Sequence, residues 1–260
     1  MHPDPTATRP VGATDRRGGP ARSGGTLRDL VVDAVRLPAR QPVGLVLAGG
    51  VVVAETVGLL TRRACAGGDC GSSDWATLLD MDALGSLPRA LITLLLAATA
   101  LVCAHGLVRA GRHGAALWWA VLGLGGALLA AAKHWSVHSL VEERLAGLVP
   151  RADVQLLFVL VSAVGLVVVL VSGRWVRRDT RTAVATWLAL YALASVGLAA
   201  ITVGVSGFGP LVADLSTWVE ETGEGLAAVG LLVAVRQGVV AIARRQAVTR
   251  PGGGAQPVDA

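Results

Sequence analysis

Six apolar stretches, each near the length of a membrane span, leave this chain few folds to choose from. They run Val43–Leu60, Ala90–Val108, Ala115–Ala132, Val154–Gly173, Thr182–Val203 and Gly225–Ala243. A hydrocarbon core about 30 Å thick takes roughly 20 apolar residues of helix. A lipid-embedded segment must satisfy its own backbone hydrogen bonds, and no strand-like alternation competes here. The expectation is therefore an all-α integral membrane protein, a six-transmembrane-helix bundle with short interfacial helices. Only 16% of residues are charged and 53% are hydrophobic, whereas soluble domains carry about 25% charged residues. Aromatics make up 4%, so the apolar mass is Leu, Val, Ala and Gly, which lets helix backbones approach closely. The fourth span is the clearest. Glu55 interrupts the first, and Arg236 and Gln237 interrupt the sixth, which makes the sixth the weakest.

Orientation follows from the basic residues flanking the spans. With the N-terminus inside, the cytoplasmic segments 1–42, 109–114, 174–181 and 244–260 hold sixteen arginines, against six basic residues in the opposite loops. That predicts a multi-pass plasma-membrane protein with both termini in the cytoplasm. It also accounts for the net charge of +5 by topology, with no nucleic-acid partner implied. The basic residues are 22 arginines and one lysine, a ratio that points to a GC-rich bacterial genome. The polar first 42 residues are unsuited to a leader peptide, so no cleavage is expected. Residues 1–25 and 244–260 are expected to be disordered cytoplasmic tails, with the membrane domain at 43–243. Residues 26–37 carry Leu27, Leu30, Val31, Ala34 and Val35 on one helical face behind a Thr26 cap. This amphipathic helix either lies on the leaflet or packs on the bundle.

The stretch "KHWSVHSLVEER", residues 133 to 144, follows the third span with no Gly or Pro between Leu128 and Ala146. The helix is expected to continue to Gly147, which gives 32 residues and about 48 Å. His134, His138 and Glu142 then fall at i, i+4 and i+8 on one face. The sixth span opens with "STWVEETGEG", and topology places Glu220, Glu221 and Glu224 on the same outer side. Glu55 lies about one turn inside the outer end of the first span. The outer half of the bundle thus gathers seven candidate groups. A carboxylate inside a span costs roughly 3 kcal/mol and normally faces the bundle interior, so Glu55 is the hardest to dismiss.

Two chemistries fit this cluster. Glu55, Glu220, Glu221 and Glu224 suit ligand or proton handling. His134, His138, Glu142 and Glu224 suit a divalent first-row metal, as bundles build such sites from facing helices. The plainer alternative is a capping box of Thr217 and Glu220, with acids complementing a helix dipole. Haem is disfavoured because His105 and His134 lie at different depths. In the first outer loop, Cys65 and Cys70 of "CAGGDC" suit a disulfide, with two free thiols as the alternative, better than zinc, which wants four ligands. Cys103 reads as a small core residue.

"SVHSLVEER" and "VEETGEG" together resemble a group of bacterial multi-pass membrane proteins of unknown function. In that group one helix ends in a D-E-x4-H-E-R-type sequence and a later helix opens with E-E-x-x-K. Glu143, Arg144, Glu220 and Glu221 match. The group's aspartate, histidine and lysine fall on Ser136, Glu142 and Glu224. The resemblance covers about twenty residues and implies that the two stretches form one site. Membrane-embedded glutamate proteases are not matched, since "EERLAG" and "EETGEG" lack the spaced arginine. Ceramidase-like hydrolases need late histidines, and none follows His138. The reading is a non-enzymatic membrane component binding an ion or small ligand in the lipid bilayer. A metal-dependent membrane enzyme and a small proton-coupled transporter are the alternatives.

Overall fold

The computed structural model describes residues 26–66, 74–111, 113–145, 148–198, 201 and 206–249. Among these every regular element is helical. The helices are α1 (Leu27–Arg36), α2 (Pro42–Cys65), α3 (Asp74–Leu79), α4 (Leu87–Arg109) and α5 (His113–His134), followed by α6 (Val137–Leu145), α7 (Arg151–Ser172), α8 (Arg178–Ala192) and α9 (Pro210–Thr249). A π-helical turn, Leu193–Leu198, prolongs α8. Six helices are long and apolar enough to cross a membrane: α2, α4, α5, α7, α8 with its π turn, and α9.

The helix that reads weakest in sequence is the centre of the bundle. α9 is 40 residues long and packs against α2, α4 and α8. Ala227, Ala228, Val229, Leu231, Val233, Ala234 and Val235 are all buried. Glycines on α9 admit its neighbours: a Cβ on Gly225 would meet Val51 at 2.4 Å, and one on Gly238 would meet Thr180 at 2.8 Å. Close approach of this kind drives helix association in membranes. Arg236 does not break the helix, because its side chain is exposed and donates to Gln41 Oε1 at 3.3 Å.

α9 also starts earlier and ends later than expected. Pro210 opens it, so Thr217 lies within the helix and its hydroxyl donates to the Ala213 carbonyl at 3.1 Å. The capping box expected at Thr217 and Glu220 is therefore not a helix start. At the other end α9 runs to Thr249, six residues into the expected C-terminal tail. The remainder of both tails, 1–25 and 250–260, lies outside the described residues.

α1 begins with a capping box. Thr26 Oγ1 accepts from the Asp29 amide at 3.3 Å, and the Asp29 carboxylate accepts from the Thr26 amide at 3.0 Å, which satisfies two amides at the helix start. Of the two placements open from sequence, the helix takes the docked one. Trp187 Nε1 on α8 donates to the Ala34 carbonyl at 3.1 Å, and Ala34 is buried. Leu27, Val32 and Val35 stay exposed.

The long third helix is not formed. α5 stops at His134, Ser136 takes a left-handed conformation with φ 47°, and α6 begins at Val137. A residue distant in sequence makes the break. Arg89 of α4, buried, donates to the Lys133 carbonyl at 3.3 Å and to Ser136 Oγ. Its Nη2 donates to the Asp82 carbonyl at 2.8 Å and to the Asp82 carboxylate at 2.5 Å. Arg89 thus satisfies carbonyl and hydroxyl groups at a helix end that has no glycine. Ser136→Val is expected to lower stability by about 1–2 kcal/mol, since a β-branched residue resists positive φ and loses the Arg89 bond. A fall in the thermal midpoint in detergent, smaller for Ser136→Gly, checks it.

Candidate functional site: a lysine among buried glutamates

The buried stripe of α2 is Gly44, Val51, Glu55, Gly58 and Thr61. Steps of seven, four, three and three residues keep these on one helical face. The periodicity that buries Val51 therefore buries Glu55, which is 1% exposed. On α9, Glu221 and Glu224 stand one turn apart, and both are buried. The last turn of α5 delivers Lys133 between them. Its Nζ lies 2.5 Å from Glu221 Oε2 and 2.7 Å from Glu224 Oε2. From α8, the buried Tyr191 joins the cluster, in the field of Glu224 and Lys133. Glu55 sits in the field of Glu221, Lys133 and Glu224, and its Oε2 is buried with no hydrogen-bond partner. Thr222 Oγ1, beside Glu221, is also buried and unpartnered.

Four helices thus bring three of the chain's six glutamates to its one lysine and its one tyrosine. With every group ionised, three carboxylates face one ammonium, an excess of two negative charges. Asp82 also acts on Glu55, but its charge is matched by Arg89 at 2.5 Å. Charges removed from water are tolerated only when paired and hydrogen-bonded. That excess is offset either by protons on the carboxyls or by a bound cation.

The other expected site residues are distributed differently. Glu220 is half-buried. His134 is exposed, edge-on to Trp135 with ring centroids 5.7 Å apart. The break at Ser136 puts His134 on α5 and His138 on α6, so they do not share one continuous helix face. The side chains of His138 and Glu142 lie outside the described residues. Among the described residues no three His, Cys, Asp or Glu side chains form a metal ligand set. Cys65 ends α2 and is not a free thiol; Cys70 lies outside the described residues. Cys103 is a free thiol in the core.

Sequence reasoning missed Lys133 and Tyr191. The available signal was rarity: each is the chain's single representative of its type, and a lone ionisable or hydroxyl-bearing side chain at a span invites a search for its partner. Beyond the cluster, Arg62 and Arg63 at the end of α2 reach Asp214 on α9 at 3.7 and 3.1 Å. These pairs are half-exposed and tie the two helices above the site.

A family model, domain of unknown function DUF8692, matches residues 43–237, three quarters of the chain. The chain belongs to this family. The DUF8692 region opens at the first turn of α2 and closes within α9, so it contains Glu55, Lys133, Tyr191, Glu221 and Glu224. It excludes α1 and the last turns of α9. No curated protein and no solved structure matches the chain.

Proposed function

We propose that this DUF8692 member is a multi-pass cell-membrane protein, with both termini cytoplasmic, whose interior cluster binds a small cation. A proton is included among the candidate cations. Glu55 supplies the unpartnered carboxylate oxygen, Glu221 and Glu224 add negative charge around it, and Lys133 is a tethered counter-ion that an incoming cation displaces. The observation that carries this reading is the charge mismatch at Lys133, together with the buried, unpartnered Oε2 of Glu55. A buried carboxylate oxygen without a donor is a strong acceptor in a low-dielectric setting, where a cation is held far more tightly than in water. Exchange at Lys133 keeps the net charge of the interior bounded during binding.

Thermal melting of the detergent-purified protein tests the proposal, with titrations of Na⁺, K⁺, Mg²⁺, Ca²⁺, Mn²⁺ and protons. A ligand that binds only the folded state raises its midpoint in proportion to the logarithm of concentration. At least one cation is expected to do so in the native chain, with at least a tenfold weaker response in Glu55→Gln. A midpoint insensitive to every cation, or an undiminished response in Glu55→Gln, would overturn the reading.

A further inference from the structure

A second polar feature stands at the other end of the bundle, away from the Lys133 cluster. α1, α8 and α9 enclose an open cavity of about 770 Å³. Five arginines line it: Arg40, Arg177, Arg236, Arg244 and Arg245. The carboxylates among its lining residues, Asp33 and Asp179, are already engaged, with Arg40 at 2.9 Å and with Arg177 at 2.7 Å. With Arg40 and Arg177 so matched, Arg236 and Arg244 have no carboxylate among the lining residues. Arg236 has only the neutral amide of Gln41 as a partner, at 3.3 Å, and Arg244 enters no ion pair among the described residues.

The rest of the lining is apolar. Leu30, Ala34 and Leu37 come from the α1 side, with Ala183 on α8 and Ala234 and Val240 on α9. The cleft is therefore amphipathic, with a cationic set beside a hydrocarbon wall. α1 forms one wall while turning Leu27, Val32 and Val35 outward, as a helix at the boundary between headgroups and acyl chains does. Arg236 belongs to a helix apolar enough to cross a membrane, so the cationic set reaches from the span toward its polar end. Guanidinium forks match the oxygens of a phosphate better than any other common anion. Basic pockets between membrane helices take anionic headgroups by this chemistry.

We infer that the cleft between α1, α8 and α9 binds the phosphate of an anionic phospholipid, with Arg236 and Arg244 as its principal ligands and the apolar wall against the glycerol and upper acyl chain. This inference is independent of cation binding at Lys133, which lies in a separate part of the bundle.

Native mass spectrometry on the full chain tests it, after exchange from nanodiscs of phosphatidylcholine doped with phosphatidylglycerol. The expected result is one retained phosphatidylglycerol per chain, depleted at least tenfold in the Arg236→Gln/Arg244→Gln double variant. Both side chains are exposed, so the variant is expected to keep its fold, and an unchanged thermal midpoint in phosphatidylcholine alone verifies that. Soluble glycerol phosphate forms the second arm. Equal retention of the neutral and anionic lipids, or undiminished retention by the double variant, would overturn the proposal. So would protection of the detergent-solubilised chain by glycerol phosphate at concentrations matching the lipid, because the source would then be a soluble phosphate ester.

Discussion

Lys133→Ala is expected to lower stability by about 3–5 kcal/mol, the usual consequence of removing one partner from a buried ion pair. The group is almost enclosed, its side chain 9% exposed, and it bridges two carboxylates that are themselves 6% and 5% exposed. Without the ammonium, Glu221 and Glu224 face each other and Glu55 with no cation among them. The control is a triple variant, Lys133→Met/Glu221→Leu/Glu224→Leu, which removes these three charged groups together. Replacing a whole buried ionic network by well-packed apolar residues of similar volume is often neutral or stabilising, so the triple variant is expected to recover most of the loss. Chemical or thermal denaturation of the purified variants reads both values. A single variant as stable as the native chain would mean that water reaches the cluster and screens it.

Gly230→Leu carries the second large effect. A Cβ at Gly230 would lie 2.1 to 2.3 Å from three atoms of the Trp187 ring, far inside van der Waals contact, before any further side-chain atom is added. The ring is not free to swing aside, because its Nε1 is held by the Ala34 carbonyl at 3.1 Å. Relief therefore requires either breaking that bond, which undocks α1, or moving α8 away from α9. Overpacking of this kind typically costs about 1–3 kcal/mol and more where the backbone must shift. The expected outcome is a lower thermal midpoint together with faster proteolysis within α1. Trp187→Phe in the same background should recover part of the loss, since the smaller ring vacates the space and leaves Ala34 O to water.

These two sites mark how much was legible in the residues alone. Glu55 could be singled out because a carboxylate inside an apolar run is costly wherever the run lies, so its interior placement follows from a single position. Glu221 and Glu224 were placed beside it by counting spans. Lys133 and Tyr191 were not, because their part depends on how far along α5 and α8 the bundle aligns with Glu55. The break after α5 was invisible for a related reason. "AAKHWSVH" contains no helix-stopping residue, and the signal that ends the helix is the guanidinium of Arg89, 44 residues before the carbonyl it holds.

Helical class, the number of apolar spans and the embedded carboxylate were set by local properties. Each depends on the transfer of a segment or side chain out of water, which neighbours hardly change. Which helix would lie at the centre was settled only by the packed bundle. Lipid tails are as apolar as leucine, so hydropathy does not separate a face against lipid from a face against protein. α7, the most uniformly apolar span, keeps Leu156, Leu160, Val164 and Val171 exposed, while glycine- and alanine-rich α9 is the core. Shape made that choice, through glycines that admit Val51, Trp187 and Trp119. Charge did the rest, because Glu221 and Glu224 reach their one lysine only where four helices meet.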